Sequence, residues 1–208
     1  MADNRINPKT GKRRAWEAEQ AAKKAEAERE RDLKRSIQLL ERQEMALRAR
    51  DDLLVFTQFT MPDPEDPNDV KKSRYKATHF HRLIAKDIDR FIAGKLLFDD
   101  GRVCTRLIFC MPPRHGKTEL ATKRLAAKYL GANPTHNVAV AAYSDTLAQE
   151  FGGDTRAIVN SPQFRQVFPQ FQLRRGGNAK DNLETTAGGR AIFVGRGGPL
   201  TGRGANLL

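Results

Sequence analysis

An α/β fold, a mostly parallel sheet flanked by helices and preceded by one long helix, is what this sequence predicts, on three observations. Leu107 to Met111 is an apolar run with the character of a strand buried on both faces, and Lys117 to Leu130 places Leu120, Ala121, Leu125 and Ala126 at helical spacing. Asn137 to Ala142 is a second short apolar strand, reached after a helix stop at Gly131 and Asn133-Pro134. Ala15 to about Arg50 is built from Ala, Glu, Lys, Arg, Gln and Leu with no Pro or Gly, the composition of a long helix.

Between the first strand and its helix lies Met111-Pro-Pro-Arg-His-Gly-Lys-Thr118, which closes on the Gly-Lys-Thr of a Walker A phosphate loop. Each residue type has a chemical reason. A polyphosphate needs several inward-pointing backbone N–H groups at the positive end of a helix, and a residue without a side chain, Gly116, lets the chain come close enough. Lys117 would set a point charge on the β- and γ-phosphates, and the Thr118 hydroxyl would bind Mg²⁺. The motif departs from its usual form at Met111, where a glycine opens G-x-x-x-x-G-K-[ST]. Pro112 and Pro113 have no N–H, so donors must come from Arg114 onward. The expected class is therefore P-loop NTPase-type (ASCE), as an incomplete sheet.

In chain order, 1–14 is polar and basic, with Asn7-Pro8 and Thr10-Gly11 as breakers, and is expected to be disordered; 15–52 is the long charged helix; 53–208 is the phosphate-binding domain. Along the helix, Leu33, Ile37, Leu40, Leu47 and Leu54 recur at intervals of three, four or seven and are expected to form its docking face. Pro62-Asp-Pro-Glu-Asp-Pro67 is a loop. Tyr75 to Gly94 carries Phe80, Leu83, Ile84, Ile88, Phe91 and Ile92 at helical spacing, with Gly94 as its C-terminal cap and His79 and His81 near its start.

Leu96-Leu-Phe-Asp-Asp100 mimics a Walker B strand, but Asp99-Asp100-Gly101 is an ordinary turn. Tyr143-Ser-Asp145 follows the second strand at its carboxyl end, where open α/β sheets bind ligands, and Ser144 or Asp145 also suits the cap of a helix running to about Asn160. Phe164, Val167, Phe168 and Phe171 are expected to close over the sheet edge. Asn182 to Ala187 and Arg190 to Val194, joined by Gly188-Gly189, read as a β-hairpin. The last loop, Gly195 to Gly204, combines a flexible backbone with Arg196 and Arg203, either of which can hold phosphate or stabilise charge on a transferring phosphoryl group.

The net charge of +12 calls for an anionic partner, and DNA, an acidic protein or a membrane surface all fit that number. Cys104 and Cys110 read as small buried apolar residues. No window approaches the roughly 18 apolar residues of a membrane span.

Met111-Pro-Pro-Arg-His-Gly-Lys-Thr-Glu-Leu120, with Phe80-His-Arg-Leu-Ile84 before it and Gly198-Pro-Leu-Thr-Gly-Arg-Gly-Ala205 after it, resembles the ATPase half of the large terminase subunit of tailed bacteriophages, over roughly Leu53 to Leu208. The resemblance implies an ATP- and Mg²⁺-dependent motor that moves double-stranded DNA into a procapsid. It would work in the host cytoplasm as a homo-oligomeric ring, with a portal protein and a small terminase subunit as partners. It marks Arg114, His115, Gly116, Lys117, Thr118 and Glu119 for the nucleotide, places His81 and Gln58 near the adenine, offers Arg114 or Arg203 as arginine fingers, and assigns Tyr143, Ser144 and Arg196 to DNA contact or coupling.

Family members continue past the segment like Thr201-Gly-Arg-Gly204 into an apolar strand ending in two acidic residues, and further on carry a nuclease half. The expectation is an N-terminal, ATP-binding portion with negligible hydrolysis, since no carboxylate after the phosphate loop is a candidate for metal or water. Two other readings use the same residues: a helicase-like or kinase-like P-loop protein, and a non-catalytic basic module that binds nucleic acid or a partner.

Overall fold

The computed structural model describes residues 8–176, 181–198, 200 and 204–208, with the side chains of 8–12 and 14 left aside. Helix α1, Pro8–Asp51, begins earlier than its Pro- and Gly-free composition would start it. The chain divides into two units at Glu41 and Arg42. In the first, exposed i, i+4 pairs run along the helix, Glu19 to Lys23 and Glu30 to Lys34 at 2.7 and 2.6 Å, each contributing a few tenths of a kcal/mol.

Of the expected docking seam of α1, only Leu54, just past the helix end, packs against the core. Leu33, Ile37, Leu40 and Leu47 are all exposed, while Ala46 and Ala49 are buried and Met45 packs beside them. Alanines allow close approach of the chain to α2, Leu53–Phe59, which the larger leucines would hold off. Asp52 caps α2 by accepting from the Val55 amide at 2.9 Å.

Helix α3, His79–Ile92, buries Ile84, Ala85 and Ile88 on its inner stripe, but Phe80 and Leu83 stay exposed. It ends as its glycine predicts. Gly94 takes φ +65°, its amide donates to Phe91, and the Lys95 amide donates to Arg90 at 2.8 Å, the paired bonds of a left-handed helix stop. Asp99-Asp100-Gly101 then forms the expected turn, closed by the Phe98 amide on the Arg102 carbonyl.

The predicted sheet is overturned. The described residues hold a three-stranded mixed sheet, not a mostly parallel P-loop NTPase-type (ASCE) one, and helices dominate the regular structure. Strand β1, Asn137–Ala141, pairs in parallel with β3, Arg190–Val194, and β3 pairs antiparallel with β2, Asn182–Glu184, in the order β1-β3-β2. Leu107 to Met111, the expected central strand, joins no ladder. It runs with alternating exposure: Leu107, Phe109 and Met111 lie on the core, Ile108 is 87% exposed and Cys110 is exposed, against the expectation that both cysteines are buried. An apolar run tells how greasy a segment is and not whether neighbours flank it, so the period-2 pattern of a one-sided segment was hidden.

From Lys117 the chain is helical to Ala132, as a π-helical stretch Glu119–Arg124 followed by α4, Leu125–Ala132. This run is the hub of the domain. Leu120 packs with Leu53, Tyr75, Ile84 and Ile88; Ala127 with the aromatic cluster around Phe56 and Phe164; Ala126 and Leu130 with Val138, Ala191 and Phe193 of the sheet. Helix α5, Asp145–Asn160, and α6, Pro162–Val167, complete the cover, with Phe164, Phe168 and Phe171 ring on ring at 5.0–5.2 Å.

Gly131 lies inside α4 and does not stop it; Asn133 closes the helix. A Cβ at Gly131 would meet Phe168 at 2.5 Å and Phe164 at 2.8 Å. Replacing a helical glycine by alanine gains up to about 1 kcal/mol of helix propensity, whereas overpacking a tight aromatic contact costs about 1–3 kcal/mol. Overpacking wins, so Gly131→Ala is expected to lower the urea midpoint; a raised midpoint would show that the rings yield freely.

Candidate phosphate-binding site

The bend between the extended segment and the helix is built by two residues with left-handed backbone. Gly116 has φ +73° and Arg114 has φ +64°, the one non-glycine with positive φ among the described residues. A side-chain-bearing residue held there costs of order 1–2 kcal/mol, a strain retained only where the surroundings impose it. They do so from two sides. Tyr75 stands behind Gly116, where an added Cβ would lie 3.1 Å from its ring, and its hydroxyl is 3.5 Å from the Gly116 carbonyl. Burial, with the Glu119 carboxylate adding to it, pushes that hydroxyl up to about 12, so it stays a neutral donor in neutral solution.

His81 is the second support. The Thr78 amide donates to its Nδ1 at 3.0 Å, which leaves Nε2 carrying the proton, and Nε2 stands 2.7 Å from the His115 carbonyl, to which it donates. The ring is only 6% exposed. Both nitrogens are thus committed to the protein, and His81 holds the loop instead of facing open space. Gln58 lines two cavities whose walls include no residue of Arg114–Thr118.

The loop itself is open. Pro112 to His115 are exposed, as is Lys117, which enters no ion pair among the described residues. Among the described residues, the backbone amides from Arg114 to Glu119 donate to no carbonyl; the Leu120 amide, on the Gly116 carbonyl at 3.1 Å, is the first that does. His115 turns its Nδ1 back onto the Pro113 carbonyl at 2.8 Å. Free amides, a cation and a helix start converge as an anion would require.

Glu119, in the first turn, bonds Lys123 at 2.6 Å and lies 3.7 Å from Arg124, while Lys123 also holds Asp154 at 2.7 Å. Burial alone would pull the Lys123 ammonium down, but Asp154 and Glu119 outweigh it and its pKa stands above the ordinary value. Glu119 is therefore partnered by side chains, not open for a metal.

The residues assigned to DNA meet elsewhere. Parallel β1 and β3 end side by side, and the Gly195 amide donates to Asp145 Oδ1 at 3.0 Å, so Tyr143, 81% exposed, and exposed Arg196 rise on adjacent loops. A Cβ at Gly195 would run into the Asp145 amide, which fixes why this loop needs glycine. Ser144 acts as the α5 cap, accepting from the Leu147 amide at 3.3 Å. Arg203 lies outside the described residues. No helix among them is long and apolar enough to cross a membrane.

Comparison with protein-family models, with curated proteins and with solved structures finds no match for this chain.

Sequence reasoning missed Arg74 and Arg124. The second left a signal: position 124 falls four residues after Leu120 and three before Ala127, on the stripe that the helix buries, and it is an arginine.

Proposed function

We propose that this chain binds the polyphosphate of ATP at Arg114–Thr118 and is the nucleotide-binding portion of a terminase-type DNA-packaging motor. The observation that carries the reading is the loop: amides from Arg114 to Thr118 that meet no carbonyl among the described residues, a glycine where a Cβ would lie 3.1 Å from Tyr75, and, at a helix start, Lys117 in no ion pair among those residues. The residues fit the group, since a close approach, N–H donors and a cation are what a triphosphate tail needs. Mg²⁺ would be held between the phosphates and the Thr118 hydroxyl, where it neutralises charge.

The chain's own contribution is positional. Tyr75 and His81 brace the bend, so its amides point outward without rearrangement on binding, and Lys117 supplies the charge. Exposed Tyr143 and Arg196 on the neighbouring loops are the residues for double-stranded DNA, and a portal protein, a small terminase subunit and a ring of copies in the host cytoplasm belong to the same reading.

A fluorescent ATP analogue titrated against the chain is expected to bind, more tightly with Mg²⁺, and to be displaced by ATP and by inorganic tripolyphosphate alike. Binding that tripolyphosphate at high excess cannot compete would place the nucleotide somewhere other than this loop.

A further inference from the structure

Beside the phosphate loop lies a cavity of about 480 Å³ that begins at Glu119, one helical step past Thr118. Its walls come from the helix after the loop (Glu119 and Arg124), from the strand-like bridge before it (Met61 and Arg74), and from α5 (Asp154 and Ile158). Its volume is within the range of small-molecule sites.

Arg124 is the informative residue. Its side chain is 8% exposed, and its one ion pair among the described residues is a long one, Nη2 to Glu119 at 3.7 Å. Its Nε is buried with no hydrogen-bond partner. A buried donor of this kind costs about 1–3 kcal/mol when nothing accepts from it, more for a charged group, so this arginine is held on the cavity wall at a cost to the fold. Burial, opposed by Glu119 and reinforced by Arg74, also pushes the guanidinium down to about 10, which leaves it charged in neutral solution.

The cavity is not built for a second phosphate. Glu119 and Asp154 stand on its wall, and Lys123 is held between them at 2.6 and 2.7 Å, so its charges are nearly balanced. What it offers is a mixture: donors from Arg124 and Arg74, carboxylate acceptors from Glu119 and Asp154, and apolar faces from Met61 and Ile158. A flat heteroaromatic ring with acceptors and donors on its edge satisfies all three, and adenine, with its amino group beside ring nitrogens, is such a ring.

We infer that this cavity seats the base of the nucleotide whose phosphates lie on Arg114–Thr118, with the Arg124 guanidinium on its wall donating to a ring acceptor and Arg74 covering the open side. The inference rests on the phosphate-loop reading and replaces His81 and Gln58 as the base contacts. Arg74 is exposed, so the cavity is reached from the solvent side.

The test compares ATP with inorganic tripolyphosphate on the full chain, each competing against a fluorescent ATP analogue. The parent is expected to prefer ATP at least tenfold. Arg124→Lys, which keeps the charge and removes the planar, forked donors of the guanidinium, and Arg74→Gln, at an exposed position where folding is not at stake, are each expected to weaken ATP about fivefold to tenfold while leaving tripolyphosphate within twofold. A parent that binds the two equally, or an Arg74→Gln chain with unchanged ATP affinity, overturns the base pocket while the phosphate site stands. If neither ligand competes, the phosphate site itself is lost and the base pocket with it.

Discussion

Lys117→Ala is expected to weaken binding of a fluorescent ATP analogue by roughly tenfold to a hundredfold, which follows from a charge-assisted hydrogen bond to phosphate being worth about 1.5–3 kcal/mol. The lysine is exposed and enters no ion pair among the described residues, so its removal should leave the urea midpoint unchanged. This separates it from the loop's supports, whose loss would move both. The same loss of charge at exposed Lys86 on α3 is the control. If Lys86→Ala weakened the analogue as much as Lys117→Ala, the attraction would belong to the net charge of +12 and not to the loop. If Lys117→Ala bound as well as the parent, the phosphate assignment would be withdrawn.

What could be read in the residues beforehand follows a physical division. Local signals, in which a residue fixes its own backbone, came through: Gly94 as a helix stop, the Asp99–Gly101 turn, the hairpin at Gly188, and Ser144 before α5. Non-local ones did not. The run Leu107 to Met111 has the composition of a central strand, yet a strand exists only by its neighbours, and these residues are covered on one side with Ile108 left bare. The leucines of α1 obey helical spacing, but packing was decided by the small Ala46 and Ala49.

The site divides the same way. That Gly116, Lys117 and Thr118 form a bend before a helix was legible, because the loop is contiguous in sequence. That Tyr75 and His81, 41 and 34 residues before the carbonyls they meet, brace that bend was not, since a tyrosine and a histidine near a helix start have many ordinary roles. The π-helical stretch from Glu119 left no sequence mark of its own, although it carries the buried Arg124.

The second large effect concerns stability and sits at the joint of three helices. Asp89 on α3 accepts from the Leu53 amide of α2 at 2.8 Å and from Lys128 of α4 at 3.1 Å, and the two charged side chains are only 21% and 9% exposed. Burial holds the Asp89 carboxyl above its usual range, although Lys128 and the Leu53 amide pull it the other way. Lys128→Met keeps the apolar stem and removes the partner, leaving a mostly buried carboxylate uncompensated at a cost of about 3 kcal/mol, a large part of the 5–15 kcal/mol of a typical domain. The sign of the pH dependence follows. Below the ordinary carboxylate pKa of 3.8 Asp89 is protonated in both folded and unfolded chains and the variant loses little; as pH rises through the raised folded value, ionisation is penalised only in the folded state, and the loss grows to its full size by neutrality. Urea midpoints at about pH 4 and pH 7 should therefore diverge for Lys128→Met against the parent. Adding Asp89→Asn, which still accepts from Leu53 and carries no charge, should restore most of the loss at pH 7. A pH-independent loss, or a double variant as unstable as the sum of its parts, would mean that Lys128 acts through packing and that the charge pair ties nothing together.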